Sequence, residues 1–204
     1  MTVTVAAGIP GLELEVGDHV CAFYRGADGR DAILLPFLRE GLLAGDKCVA
    51  VLDDADPQEV LDHLTEMVDV EASLERHQIE VLTSSESYLR GGRFSRPDMI
   101  AFWASSVGES LGDGGFAFAR SLGEMTWALR DLPGVDDLVA YEAELNEFLP
   151  RYPQVILCLY DLDRFEGRIV VDLLRTHPKI YMCGTVLDNP YYMDPADFLA
   201  ARPR

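Results

Sequence analysis

Residues 155–160, VILCLY, form an uninterrupted apolar run that closes on Asp161. A strand with one wet face alternates apolar and polar residues, so an unbroken run of this kind marks a strand covered on both faces, as in a parallel sheet. Parallel strands need helical crossovers, and the chain supplies them in alternation. DHVCAFY reads as a strand and closes on the turn-rich RGADGRD. The helix DAILLPFLREGLLAG follows, with Ile33, Leu34, Phe37, Leu38 and Leu42 at helical spacing, Asp31 as N-cap and Gly45 as stop. KCVAVLD is the second strand. PQEVLDHLTEMV is a helix with Pro57 in its first turn, and DVEASLERH a second short one. IEVLTSSESYL gives the third strand and its loop, and Arg96-Pro97-Asp98 opens a long helix. FAFARSL is the fourth strand, with GEMTWAL as a loop or helix start. VDDLVAYEAELNEFLPRYP is an amphipathic helix, VILCLYDLDRF the fifth strand, and GRIVVDLLRTHP a helix stopped by Pro178. KIYMCGTVLDNPYY supplies a last strand and an extended tail. The expectation is an α/β fold of three layers, a largely parallel central sheet with helices on both faces, in one domain.

Charge narrows the partners. With 17 basic against 35 acidic residues the net charge is −18, which repels phosphate backbones and anionic membranes. No direct nucleic-acid contact and no membrane association are expected. No apolar run approaches the ~18 residues of a membrane span, and MTVTVAAGIPGLELEVGD lacks the basic start and apolar core of a signal peptide. The expected location is cytoplasmic. Cys21, Cys48, Cys158 and Cys183 form no CxxC pair, and three of the four lie in apolar runs where a free thiol behaves as a small hydrophobe.

In an open parallel sheet, ligands bind beyond the carboxyl ends of the strands. Polar residues collect there: Tyr24-Arg25-Gly26, Asp53-Asp54, Thr83 to Glu86, Arg120 with Glu124, and Tyr160-Asp161. A phosphate loop at the first junction would need GxxxxGK[ST]; here Arg30-Asp31 stands in place of Lys-Ser/Thr and the spacing is short. No bound NTP is expected. No GxSxG or HExxH motif occurs. Glu142 and Asn146 share a helix face at i,i+4, read as its solvated side, and Trp127 near Glu124 is placed as a pocket wall or core residue. His19 and Cys21 are two apart in a strand and so project to one face, with Val20 and Ala22 on the other. Thiol and imidazole are both zinc-class donors, and His19, Cys21 and Cys158 are candidate metal ligands.

Taken together in order, GDHVCAFY, PFLREGLLAGDKCVAV, SSESYLRGGRFSRPDMI, GEMTWAL, YEAELN, LCLYDLDRF, LLRTHP and NPYY resemble the MEDS domain, the methanogen/methylotroph DcmR sensory domain, over about Gly17 to Tyr192. The resemblance implies a RecA/KaiC-like fold without a working P-loop and a sensory role toward small ligands, with hydrocarbon derivatives proposed. It also implies a signal passed to transcription or to partner-switching regulators. The family's His-x-Cys element matches His19 and Cys21, its GEM element Glu124, and its C-x-Y-D element Cys158, Tyr160 and Asp161. Its THP element matches His177, and its tail Asn189, Tyr191 and Tyr192.

The division expected is an N-terminal extension over 1–16, the sensory domain over 17–193 and a tail over 194–204. The expected function is a non-catalytic sensory domain that binds a small molecule at the carboxyl end of the sheet and regulates transcription through a partner. His19, Cys21, Tyr24, Glu124, Trp127, Cys158, Tyr160, Asp161 and His177 are its candidate ligand-binding residues. No output domain follows Arg204 in the sequence, so a regulatory protein of anti-sigma or partner-switching type, or a homo-oligomer, is expected to carry the signal. The alternatives are a metal- or haem-binding sensor and an enzyme using Cys21 as nucleophile with His19 as base.

Overall fold

The apolar runs become strands, and their order sets where the chemistry lies. The computed structural model describes residues 4–201. A short antiparallel pair, β1 (Thr4–Ala6) and β2 (Glu13–Glu15), precedes the main sheet. The elements that follow are β3 (His19–Tyr24), α1 (Gly26–Ala44), β4 (Lys47–Leu52), α2 (Pro57–Thr65), α3 (Val70–Glu75) and β5 (Ile79–Thr83). Next come α4 (Arg96–Leu111), β6 (Ala119–Glu124), α5 (Leu138–Phe148), β7 (Gln154–Asp161), α6 (Gly167–Thr176), β8 (Lys179–Met182), β9 (Thr185–Asp188) and α7 (Pro195–Ala201). The seven-stranded sheet runs β5-β4-β6-β7-β3-β8-β9, parallel throughout except for the terminal β8–β9 hairpin. Every residue of β3, β4, β6 and β7 is buried, as the apolar runs of β3 and β7 require, and in β6 this takes in Arg120, Ser121 and Glu124 as well.

Side chains alternate between two cores. Val20, Ala22 and Tyr24 of β3 pack with Ile33, Leu34 and Phe37 of α1, while Cys21 and Phe23 pack with Tyr141 of α5 and Leu173 of α6 on the other face. Helix α1 lies close on the sheet at Gly41, where an added Cβ would sit 2.6 Å from Cys48 Sγ. Gly45, in the left-handed region at φ 81°, ends that helix as expected, and its N–H caps the carbonyls of Gly41 and Leu42. Asp56 caps α2 by accepting from the N–H groups of Gln58 and Glu59.

Four local expectations need correction. Helix α1 begins at Gly26, with extended Arg25 before it, so Asp31 is no N-cap. The GADGRD stretch has turn composition, yet it forms the first turns of α1. Strand β6 starts later than the apolar run suggests, which puts Arg120 near its amino end. There its guanidinium donates to Asp46 Oδ2 at 2.7 Å and to the Ala6 carbonyl at 2.6 Å. Residues 179–188 form a hairpin, and the segment after Tyr192 enters α7. Helix α5 has no solvated side at Glu142, which is 0% exposed, because that face turns onto His19 of β3 and Cys158 and Tyr160 of β7. Phe198 of α7 covers Val139 and Ala143 of α5.

Candidate functional site

The parity of β3 and β7 separates the candidate residues into three places. In the parallel register His19 faces Ile156, Cys21 faces Cys158, and Phe23 faces Tyr160. These side chains lie under α5 and α6, where His177, the residue that ends α6, turns in beside them.

The centre of this first place is Glu142. Its Oε2 lies 3.1 Å from His19 Nε2, 3.3 Å from His177 Nε2 and 3.6 Å from Cys158 Sγ, and its Oε1 accepts from the Tyr160 hydroxyl. The two imidazole rings stand 4.1 Å apart, centroid to centroid. Burial alone would raise the Glu142 carboxyl, but His177 and then His19 outweigh it and hold it well below the usual carboxylate range. Burial, then His177, lowers His19 below its ordinary value, so its neutral form is favoured.

Hydrogen bonds fix the outer nitrogens. Asn146 Nδ2 donates to the carbonyls of Glu142, Ala143 and Thr176, which turns its Oδ1 toward His19 Nδ1 at 3.1 Å. His19 Nδ1 is therefore the donor there. His177 Nδ1 donates to the Leu173 carbonyl at 2.9 Å. Both Nε2 atoms then point inward.

The second place is the carboxyl end of the sheet. Here Glu124, also 0% exposed, accepts through Oε2 from the backbone N–H groups of Asp53, Asp54 and Ala55 at 2.8, 2.9 and 3.0 Å. Its Oε1 lies 3.4 Å from both the Tyr24 hydroxyl and Arg30 Nη1. Asp53 in turn accepts from Ser84, Thr126 and Arg130. Burial, then Glu124, raises the Tyr24 hydroxyl well above the ordinary phenol range. β3 ends at Tyr24 and α1 begins at Gly26, so a single residue joins them where a phosphate loop would stand. Beside this carboxylate an apolar cleft of about 310 Å³ opens, lined by Phe23, Tyr24, Ile33, Leu162, Tyr181 and Met182 among others. Asp161 closes β7 and accepts from the Asp163 N–H at 3.0 Å.

The third place is aromatic. Trp127 is fully buried, stacked on Tyr88 at 4.7 Å and tilted against Phe94 at 4.6 Å, as core rather than as a wall of the cleft. The candidate residues thus split into His19, Cys21, Cys158, Tyr160 and His177 in the buried polar cluster, Tyr24, Glu124 and Asp161 at the carboxyl ends, and Trp127 in the core.

The thiols here are poor nucleophiles. Burial, then Glu142, pushes Cys21 and Cys158 well above the usual thiol range, and burial pushes Cys48 up to about 12. Cys183 is exposed. Ellman's reagent should titrate Cys183 in the folded chain and reach Cys21, Cys48 and Cys158 only on unfolding. Rapid native labelling of Cys21 would instead support nucleophilic chemistry there.

Spacing placed Asp53 at a strand end without its partners, read Glu142 and Asn146 as a solvated face, and took Arg30 only as a departure from a phosphate-loop lysine. The available signal for Glu142 and Asn146 lay in their helix: LVAYEAELNEF carries apolar residues on nearly every side, the composition of a helix covered all round.

Comparison with known proteins agrees with this architecture. The family model described as MEDS, MEthanogen/methylotroph, DcmR Sensory domain, matches residues 18–178. The transcriptional repressor DcmR of Methylorubrum extorquens is 28% identical over 185 residues, which is 85% of this chain and 63% of that protein. The chain therefore spans less than two thirds of that relative. Among solved structures, a KaiC-like protein from Pyrococcus horikoshii superposes with a TM-score of 0.65 at 14% identity, over 88% of this chain and 80% of its own. A second P. horikoshii protein, crystallised with an unknown peptide, gives a TM-score of 0.62 at 16% identity, over 80% and 76%. At these identities the likeness establishes the RecA/KaiC-type fold alone.

Proposed function

The chain belongs to the MEDS family of sensory domains, and on that premise we propose that it binds a small, mostly apolar molecule in the carboxyl-end cleft and regulates transcription through a partner protein. The observation that carries the reading is the cleft itself. It lies where open α/β sheets take their ligands, at the ends of β3 and β8, and its volume is at the small end of the range of ligand sites. Its lining is apolar, with the Tyr24 hydroxyl and Arg30 behind it on Glu124, a setting suited to a hydrocarbon derivative bearing one polar group. The Glu124 carboxylate already occupies the backbone amides of residues 53–55, which leaves them unavailable to a phosphate. Among the described residues no helix is long and apolar enough to cross a membrane.

One route leads out of the cleft. Phe23 sits 6.3 Å from Tyr160, whose hydroxyl donates to Glu142, and so links the cleft to the buried cluster. From there Asn189 Nδ2 donates to the His177 carbonyl at 2.8 Å, and the Met193 N–H to the Arg175 carbonyl at 2.9 Å, which ties the segment leading to α7 onto α6. The repressor role of DcmR supports a transcriptional output, and the net charge of −18 suits a basic partner surface.

Saturation-transfer NMR with a panel of short-chain alcohols, haloalkanes and small aromatics tests this reading. The wild type should bind at least one class. Ile33→Trp, which fills the cleft, should weaken that binding by at least ~10-fold, about 1.4 kcal/mol, while the far-UV spectrum stays unchanged. Equal binding by both proteins would contradict the site.

A further inference from the structure

The buried cluster under α5 and α6 holds more polar donors than its internal hydrogen bonds use. His19 Nε2, Glu142 Oε2, Cys158 Sγ and His177 Nε2 all lie within 4.8 Å of one another, and all four residues are buried. His177 Nε2 has no hydrogen-bond partner: it faces Glu142 Oε2 at 3.3 Å without the geometry of a bond. With both Nδ1 atoms engaged, by Asn146 and by Leu173, the two Nε2 atoms are the ring nitrogens left facing the carboxylate. A buried carboxylate with two ring nitrogens and a thiol converging on it is a ready set of ligand atoms for a cation.

We propose that these four residues form a closed binding site for one divalent ion of the zinc class. The donor set is two imidazole nitrogens, one thiolate and one carboxylate oxygen, the set that suits a borderline-soft ion and not calcium or magnesium. Charge closes as well. On binding, the Cys158 S–H bond gives its proton to solvent, and one thiolate, one carboxylate and a doubly charged ion sum to zero in a site without water. Tetrahedral bonds of about 2.0–2.3 Å place ligand atoms roughly 3.3–3.8 Å apart. Four of the six separations among these atoms are 3.1, 3.3, 3.5 and 3.6 Å and all six lie within 4.8 Å, so shifts of up to about 1 Å reach that geometry.

The supporting contacts match those that orient metal ligands: each imidazole donates its other N–H to an oxygen, and Tyr160 donates to the carboxylate's second oxygen. Four protein donors leave no open coordination position, so the ion would serve structure or sensing rather than hydrolysis. Haem fits poorly, because four donor atoms within 4.8 Å of one another leave no room for a macrocycle between them. Cys21 neighbours Cys158 across the strands but lies outside the donor set.

This site is separate from the cleft, so each can fail alone. The full chain, expressed with a tag that binds no metal, is analysed by elemental mass spectrometry and then titrated with Co²⁺ after chelation. One zinc per chain is expected, with tetrahedral Co²⁺ bands in the visible and a thiolate charge-transfer band in the near ultraviolet. Cys158→Ser should abolish the charge-transfer band, Cys21→Ser should keep it, and Asn146→Ala should weaken affinity ~10–100-fold by freeing the His19 ring. Folded wild-type protein that carries no metal and gives no such band with Co²⁺ would overturn the proposal. A band that survives Cys158→Ser would overturn the assignment of its ligands. Ligand binding by the metal-free protein would leave the sensory reading intact while the ion inference fell.

Discussion

Glu142→Ala should cost about 3–5 kcal/mol of stability, a large share of the total for a domain of this kind. The side chain is 0% exposed; it accepts from the Tyr160 hydroxyl and the Cys158 thiol, and both imidazole Nε2 atoms lie within 3.3 Å of it. Truncation leaves those groups around an enclosed void without their acceptor. Glu142→Gln separates charge from space. Its carboxamide oxygen accepts from Tyr160, and its N–H₂ donates to the inward Nε2 atoms. In chelator the Gln variant should therefore unfold within about 1 kcal/mol of the wild type, far above the Ala variant. Urea denaturation followed by circular dichroism checks both. An Ala variant that unfolds with the wild type would mean the cluster contributes nothing to the fold.

The second large effect is at Glu124. Removing its carboxylate orphans three backbone N–H groups and strands Arg30 and Tyr24 beside an empty space. At about 1–3 kcal/mol for each buried unsatisfied donor, Glu124→Ala should lose at least about 3 kcal/mol. Its damage should be local. The loop over residues 53–55 loses its anchor, so amide exchange should quicken there and at Tyr24 before the β7 core responds. Glu124→Gln keeps an acceptor for the amides and should recover most of the loss. If Ala and Gln behave alike, the three amide bonds do not hold this end of the sheet together.

These two carboxylates show what the sequence discloses and what it withholds. The unbroken run at Val155–Tyr160 forces a strand covered on both faces, and strand–helix alternation then forces the layered α/β architecture that the structure shows. The shared face of His19 and Cys21 follows from strand period alone, and in the parallel register that face is the one on which Cys158 stands. Register between distant strands is not local information, so the meeting of His19 with His177 and Glu142 could be anticipated only as one arrangement among several. Glu142 and Asn146 were visible as an i,i+4 pair, but a charged residue on a helix is assigned to solvent unless its cover is known. That cover is the sheet itself, through His19, Cys158 and Tyr160, with the end of α6 at Thr176 and His177. Glu124 was legible as a residue near a strand end. Its role as acceptor for residues 53–55 depends on β4 and β6 lying side by side, which composition does not encode.

The same logic divides the candidate residues by function. Tyr24 reaches the cleft because it closes β3 with even parity, and Cys21 and Phe23 face the buried cluster because they have odd parity. One strand thus touches both places, and Phe23 is the residue that borders the cleft while packing toward Tyr160. A ligand that shifts Phe23 has a short mechanical path to Glu142, His177 and the segment that Asn189 clips to α6.

Hydrogen–deuterium exchange of the full chain, with and without the tightest-binding member of the hydrocarbon-derivative panel, tests the central claim most directly. The account predicts slowed exchange at residues 23–33 and 179–184, with a smaller change at 189–201. Protection confined to other segments, with the cleft unchanged, would contradict it.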